Sequence, residues 1–451
     1  MTEAMKAHLL DEVREMIAER EREGIVGLAA EVAPAQWAEL IPRLDGAELA
    51  TLVGWLPDQV LADTLAEINP AEAAQILRAV SRGTAADILE QMDPDDATDV
   101  VGQLGDAEAE QILVEMEPAD AAEIRELLVY PADTAGGIMT PAFVAVRADI
   151  TVEAAERALR RRVGEAETVY YVYVVDDDGR LMGVLALHRL VLVPPRTKVR
   201  DVMVSDVIRV RADADRETAA RLLTDHNFLA LPVVDDRDRL LGIITQDDVA
   251  DVLEAEATED FERIGGSEPL AVPYRLASVA HLFRRRIVWL LLLFIAQAYT
   301  GTVIRAFEDT LQAQIILAAF IPLLIGTGGN VGSQTVTLIV RAIALAEVRL
   351  ADVGWIIWKE IRVGLLIGAV MGVVAFLRGE LLGVGSDVGA VVALTIVAIC
   401  LWSATVAAVL PLALRRLRID PAVVSAPLIT TVVDGTGLVI YFEIARLVLR
   451  V

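Results

Sequence analysis

The chain has 451 residues but only one cysteine and four histidines, and it sets 40 basic residues against 66 acidic ones. Cys400 stands alone inside an apolar run, which excludes an intrachain disulfide framework and any cysteine-cluster metal site. No histidine lies within a long apolar run, so a high-affinity transition-metal site lacks its usual donors there. Also missing are a Walker loop, a nucleophile-elbow sequence and a His-rich site, which makes an enzyme the least supported class. The formal net charge of -26 argues against nucleic acid or anionic lipid as partner of the acidic region. The N-terminus, MTEAMKAHLLDEVREM, reads as an amphipathic helix without the apolar core of a signal peptide. The acidic region is therefore expected to stay in the cytoplasm.

Against that charge stand 55% hydrophobic residues and a mean hydropathy of +0.50. Segregation reconciles them: acids crowd the chain before residue 270 and apolar runs crowd it afterwards. Five stretches, roughly 287–303, 315–340, 361–377, 389–414 and 422–447, come near the length of about 20 residues that a crossing needs. Arg284, Arg285 and Arg286 precede the first, and Arg415, Arg416 and Arg418 lie between the fourth and fifth. The positive-inside rule then places the N-terminal half in the cytoplasm and the C-terminus outside.

Asp434 interrupts the fifth stretch, flanked by Thr430, Thr431 and Thr436 and followed by Gly435 and Gly437. A carboxylate deep in a bilayer costs on the order of a few kcal/mol and normally faces a pathway or a partner. No basic residue lies deep in any stretch to neutralise it. The second stretch carries Gly326-Thr-Gly-Gly-Asn330 and then Ser333 and Gln334, so its glycines permit either close helix approach or a break. One carboxylate is little for a Mg²⁺ ion, which keeps several waters, but a homodimer would set two copies of Asp434 on a shared axis.

The acidic half is built from two kinds of repeat. Before residue 132, Asn69-Pro70, Ser81, Asp93-Pro94, Gly105-Asp106 and Glu117-Pro118 recur every 12 residues, each opening a short helix. Asn or Asp is expected as the cap, with Pro at the first helical position. Stacked short helices make a small solenoid. Farther on, Val172-Tyr-Val-Val-Asp-Asp-Asp-Gly-Arg-Leu-Met-Gly-Val-Leu185 matches Leu231 to Ile244 at an offset of 59, whereas the helices upstream match at 64. The first copy thus carries a five-residue insertion. This pattern resembles a tandem pair of CBS domains, an α/β fold that commonly binds adenine nucleotides. The resemblance implies a nucleotide contact, with ATP the candidate, at Thr245 of Thr245-Gln-Asp-Asp248, while the first copy departs with Ala186-Leu-His-Arg189. Nucleotide binding and a purely structural role stand as alternatives for the pair.

From Asp247 to Asp260 the chain has no Gly or Pro and reads as a helix. Spacings of three and four set Asp248, Asp251, Glu256, Glu259 and Asp260 close together along one side, where like charges repel unless a cation screens them. Oxygen-only ligands suit Mg²⁺ or Ca²⁺. A solvated acidic helix is the bland alternative.

Four runs in fixed order, Ala135-Gly-Gly-Ile-Met-Thr-Pro141, Leu253-Glu-Ala-Glu-Ala-Thr-Glu-Asp260, Gly326-Thr-Gly-Gly-Asn330 and Asp434-Gly-Thr-Gly-Leu-Val-Ile-Tyr441, make the chain resemble the MgtE family of magnesium channels almost end to end. The resemblance implies a multidomain homodimer in the cell membrane. Its parts would be an all-α helical N domain over 1–132, an α/β tandem CBS pair over 133–255, a connecting plug helix over 256–284 and an α-helical membrane domain of five transmembrane helices over 285–451. It implies that Asp434 holds a hydrated Mg²⁺ in the pore, with Thr430 one turn earlier and Asn330 lining the path. It further implies regulatory Mg²⁺ ligands at Asp248, Asp251, Glu256, Glu259 and Asp260, at Asp215 and Glu217 of the second CBS copy, and at Asp95 and Asp99 of the N domain. Asp420 would meet the plug helix through an ion. Two positions depart from the family pattern: Asn227 replaces an Asp, and Ala426 replaces a polar residue. The expected activity is Mg²⁺ uptake shut off by cytosolic Mg²⁺. Transport of Co²⁺ or Zn²⁺, and a nucleotide-responsive sensor without flux, are the alternatives.

Overall fold

The computed structural model describes residues 3–162, 168–270, 272–345, 347–417 and 419–450. Arg418 lies outside them, as do residues 163–167, between Arg162 and Tyr171 where the first copy's insertion falls. The chain divides into two compact units, Met1–Glu256 and Ala257–Val451.

The first unit opens with short helices: Glu3–Glu19 (α1), Arg22–Glu31 (α2), Pro34–Leu40 (α3), Gly46–Val53 (α4), Asp58–Ala66 (α5), Pro70–Arg78 (α6), Arg82–Leu89 (α7), Pro94–Gly102 (α8), Asp106–Leu113 (α9) and Pro118–Leu127 (α10). Asn69, Ser81, Asp93, Gly105 and Glu117 stand at the N-caps of α6 to α10, so the 12-residue period is the helix period. Burial follows it. Ala73, Ala85, Ala97, Ala109 and Ala121 are all buried, and so are Ile76, Ile88, Val100, Ile112 and Ile124. Alternate helices stack, α6 on α8, α7 on α9 and α8 on α10, so each repeat buries its apolar face only against neighbours. The expected caps form in part. Asn69 accepts from the Ala71 amide, but Asp93 makes no capping hydrogen bond. Its carboxyl is instead raised above the ordinary range by burial and by the carboxylates of Asp247 and Asp63, while Pro94 starts the helix without a donor to satisfy.

The strand-rich copies follow. Ala145–Arg147 (β1) runs parallel to Tyr171–Val175 (β2), which pairs antiparallel with Leu181–Ala186 (β3). Val210–Arg211 (β4), Ala230–Val234 (β5) and Leu240–Thr245 (β6) repeat that order. Tyr171 faces Ala186 as Ala230 faces Thr245, and the irregularity at Val174/Val175 recurs at Val233/Val234, so register and bulge both obey the 59-residue offset. Val152–Arg162 (α11) and Leu187–Leu192 (α12) accompany the first sheet, and Arg216–Asp225 (α13) the second. Tyr173 and Leu181 share one apolar cluster with Ala230, Val234 and Ile243, which packs the two copies together.

Helix Gln246–Ile264 (α14) carries the boundary between the units. The helix expected over 256–284 is not continuous. It ends at Ile264, Gly266 takes φ 77°, and helix resumes only at Val279, capped by the Ser278 side chain on the His281 amide. Gly265, Gly266, Pro269 and Pro273 explain the break, since they favour turns and remove helical donors.

The second unit contains Val279–Ala306 (α15), Glu308–Ala313 (α16), Ile321–Ala344 (α17), Val353–Leu381 (α18), Ser386–Arg416 (α19) and Ala426–Leu449 (α20). Among the described residues four segments are long and apolar enough to cross a membrane: Val279–Ala306, Ile315–Ala344, Val353–Leu381 and Ser386–Arg416. The fifth stretch, α20, is 24 residues long but carries Asp434, Glu443 and Arg446. It packs against α15, α17 and α19, and α18 packs on α19. The glycines of α17 serve close approach and not a break. A Cβ on Gly328 would stand 2.5 Å from Ile399 Cγ2, and one on Gly332 2.5 Å from Ile429 Cγ2. Ile339 and Ile343 of α17, Ile356 of α18 and Ala408 and Leu412 of α19 form one cluster. Arg415 donates to the Val348 carbonyl, and Trp289 of α15 donates to Ser425 just before α20. Hence α17 and α19 end where α15, α18 and α20 begin.

Candidate ion path and cation-sensing acids

Asp434 lies near the middle of α20 and is 4% exposed. Its Oδ1 has no hydrogen-bond partner, and no basic side chain pairs with it among the described residues. A buried ionised carboxylate left without a counter-charge costs several kcal/mol, so this atom fits a site that a cation completes. Small neighbours make the room. Gly435 lies so close to Tyr299 of α15 that a Cβ would stand 2.4 Å from the ring. One turn before Asp434, Thr430 packs over Gly329 of α17, and its hydroxyl lies 3.4 Å from the Ser333 hydroxyl. Thr430 donates to the Ala426 carbonyl at 3.0 Å, so its oxygen keeps accepting capacity. The line from Thr430 to Asp434 thus runs beside α17 and α15. Asn330 is not gathered to it. Asn330, Gln334 and Thr337 are exposed along one face of α17 at the surface of the single chain.

The acids of the first unit face one another across two elements. Asp99, on α8, feels the carboxylates of Asp248 and Asp251 at the start of α14, with Arg216 opposing them. Asp99 keeps a solvent-accessible edge, yet crowding by the surrounding chain, and then Asp248, pushes its carboxyl up to about 6. Asp248 is raised to about 6 by burial, against two hydrogen bonds from Thr245 and with Asp247 and Asp251 adding repulsion. Asp251 is raised by burial, Glu254, Asp247 and Glu67, the last from the helical repeats. Asp95 is buried on α8 beside this seam. Such acid-to-acid approach stores repulsion that a divalent cation relieves.

Other expected ligands are already engaged. Asp215 caps α13 through the Thr218 amide at 2.9 Å, and Glu217 pairs with Arg221. Glu256 takes Arg216 at 2.7 Å. Arg263 pairs with both Glu259 and Asp420, so the guanidinium itself joins α14 to the segment before α20 where an ion was expected. Asp260, one residue on from Glu259, is intermediate in exposure. Thr245 is buried, and its hydroxyl donates to the carboxylate of Asp248 at 2.6 Å. Among the described residues no three His, Cys, Asp or Glu side chains converge as a finished metal site. The arrangement is one of facing carboxylates with oxygen-only donors, a chemistry that suits hydrated Mg²⁺ or Ca²⁺. Asn227 has φ 52°, a left-handed conformation that Asn tolerates better than most residues.

A family model for a divalent cation transporter, MgtE, matches residues 321–444, one for the MgtE intracellular N domain matches 32–133, and the CBS domain model matches 135–194 and 199–255. The magnesium transporter MgtE of Thermus thermophilus is 46% identical over 330 residues, 73% of each chain. The chain belongs to the MgtE family. The Enterococcus faecalis magnesium transporter MgtE is 36% identical over 331 residues, 73% of this chain and 72% of that one. Among solved structures, the cytosolic domain of the Mg²⁺ channel MgtE in complex with ATP matches with a TM-score of 0.52 and 38% identity, covering 54% of this chain and 99% of that one. The soluble part of a magnesium transporter matches at the same TM-score with 33% identity, over 56% and 99%. The chain thus carries the helical N domain, the CBS pair and an apolar helical C-terminal region.

Sequence reading missed Glu67 and Asp93 at the seam, because only the fold brings them to α14, and it missed Asp63, which the fold sets near Asp93. Arg216 and Arg263 were missed too. Arg263 stands four residues after Glu259, a helical pairing visible in the sequence.

Proposed function

We propose that the chain forms, as a membrane homodimer, a Mg²⁺-selective pathway that cytosolic Mg²⁺ shuts. The observation that carries this reading is the buried Asp434 carboxylate with a partnerless oxygen, set among glycines and threonines in α20. Mg²⁺ is the cargo. It crosses largely hydrated, held through water by Asp434, with Thr430 and Asn330 lining the way, and a second copy supplies the second carboxylate that a hydrated ion prefers. The exposed polar face of Asn330, Gln334 and Thr337 gives that copy a surface to meet.

All five long helices, α15 and α17 to α20, cross the membrane in this reading. Arg284, Arg285, Arg286, Arg341, Lys359, Arg362, Arg415 and Arg416 lie toward the end where α15 begins, whereas Arg305, Arg378 and Arg446 lie toward the other, beside Glu308, Asp309, Glu380 and Asp387. The positive-inside rule therefore supports a cytoplasmic N-terminal half and an external C-terminus.

Regulation works through the facing acids. At high cytosolic Mg²⁺, ions bridge Asp95 and Asp99 to Asp248 and Asp251, with Asp215, Glu217, Glu256, Glu259, Asp260 and Asp420 extending the same chemistry along α14 and toward α20. The compact arrangement holds the path shut. At low Mg²⁺ the carboxylates repel, the domains part and the path opens. Several weak sites acting together supply the differential affinity that such a shift needs. ATP is a further proposed ligand at Thr245, in keeping with the ATP-bound cytosolic relative.

The test is Mg²⁺ flux into liposomes holding purified protein, wild type beside Asp434→Ala, with Mg²⁺ on the N-terminal side varied. Flux that requires Asp434 and falls as that Mg²⁺ rises is the expected result. Folded wild-type protein that carries no Mg²⁺ sinks the transport reading, and equal flux at all Mg²⁺ levels sinks the regulatory one.

A further inference from the structure

At the start of α18 the residues Trp355, Trp358, Lys359 and Arg362 occupy positions i, i+3, i+4 and i+7, so they form one stripe along the helix. Trp355 and Trp358 are each 58% exposed. The Lys359 ammonium stands over the Trp355 ring at 5.0 Å from its centre, and the Arg362 guanidinium over the Trp358 ring at 5.7 Å. Among the described residues neither cation has an acidic partner. The one acid between them, Glu360, is half-buried and accepts from Thr335 of α17 at 3.5 Å. Two aromatic faces thus hold two unneutralised cations at an outer surface, at the end of the unit where the other basic residues gather.

We propose that this stripe binds the phosphate of an anionic phospholipid headgroup. Indole rings settle at the level of the headgroups. Each cation rests one side on a ring and leaves its remaining donors free for an anion. Arg362 adds a planar donor fork that matches phosphate oxygens. Charge complementarity selects an anionic lipid over a zwitterionic one, because the stripe carries two positive charges and no carboxylate. Only the side of the membrane rests on the function proposed above; the binding itself is read independently of flux.

The test uses the full-length chain in phosphatidylcholine vesicles containing brominated phosphatidylglycerol or, separately, brominated phosphatidylcholine, with tryptophan fluorescence as readout. The component lost in Trp355→Phe with Trp358→Phe reports the stripe. In the wild type brominated phosphatidylglycerol is expected to quench this component at lower lipid fractions than brominated phosphatidylcholine. Lys359→Gln with Arg362→Gln is expected to reduce that preference by about fivefold per charge removed. Lys359→Arg with Arg362→Lys keeps both charges and is expected to retain most of it, and Arg378→Gln, at the far end of α18, leaves it unchanged. Equal quenching by the two lipids in the wild type overturns the proposal. So does a preference that survives the double glutamine variant, or one lost equally in Arg378→Gln. A second copy of the chain seated on the stripe would shield both rings from either lipid, and that outcome also overturns it.

Discussion

Up to Glu256 the chain carries 52 acidic and 24 basic residues; beyond it, 14 and 16. In the first region carboxylates are abundant, and many are tied to an arginine or a helix cap, as Glu256 is to Arg216 and Asp215 is to the Thr218 amide. Others face acids instead, as Asp99 faces Asp248 and Asp251. In the second region one buried acid, Asp434, stands among apolar and small residues without a counter-charge. The difference teaches what each kind of site can do. In the function proposed above, crowded, partly wet acids bind cations weakly and together, which suits sensing, whereas a lone buried acid would have a large effect on an ion that passed it.

The sharpest way to break that comparison is Asp434→Asn. Removing the charge while keeping the shape is expected to lower Mg²⁺ flux by on the order of a hundredfold or more, about 3 kcal/mol, with the fold intact by circular dichroism. Flux within a few-fold of wild type would put the two regions on the same footing. Next in size is Gly332→Leu. The new side chain meets Ile429 Cγ2 and Ser403 Oγ at under 3 Å, and such overpacking costs about 1–3 kcal/mol. The expected reading is a lower melting temperature for the detergent-solubilised chain, and an unchanged one would refute the close approach of α17 to α20.

Smaller effects test the seam. Asp99 and Asp248 have carboxyl groups raised to about 6 from an ordinary 3.8. Between about pH 4 and pH 6 the folded chain therefore holds more protons than the unfolded chain, so stability falls as pH rises through that window. Lowering the pH from 7 to 5 without Mg²⁺ is expected to raise the melting temperature of the N-terminal half, and the same drop is expected to weaken its response to added Mg²⁺. Asp99→Asn with Asp248→Asn should give the higher melting temperature already at pH 7 and flatten both responses. If the variant melts as wild type does and keeps its full Mg²⁺ shift, the repulsion argument fails. The smallest effect is expected for Arg263→Gln. That pairing with Glu259 and Asp420 is partly solvated and worth up to about 1 kcal/mol. The Mg²⁺ level for half-inhibition of flux should move by about fivefold at most, and a complete loss of inhibition would make Arg263 a far larger element than its exposure suggests.

Much of this architecture was legible because repeats leave a periodic trace. The 12-residue spacing from Asn69 to Glu117 gave each helix start, and the 59-residue offset carried even the strand register and the bulge. The isolation of Asp434 was legible as well, and the structure leaves it buried with an oxygen that no group pairs among the described residues. The connecting segment misled because its acidic part is a good helix to Ile264, while Gly265, Gly266, Pro269 and Pro273 break it before Val279. Asn330 is a different case: a polar residue in an apolar run says that it faces something other than lipid, and not which neighbour it meets, and in the single chain it stays exposed.

By itself the sequence determined the order of the parts, the repeat periods, the segregation of charge and the isolation of Asp434, since these rest on local composition and spacing. Only the tertiary structure decided that Glu67, Asp93 and Asp99 crowd the start of α14, that Arg263 joins Glu259 to Asp420, and that Thr430 meets Ser333 over Gly329. Those contacts join residues far apart in the chain, and their energies depend on distance and burial, which spacing along one helix does not contain.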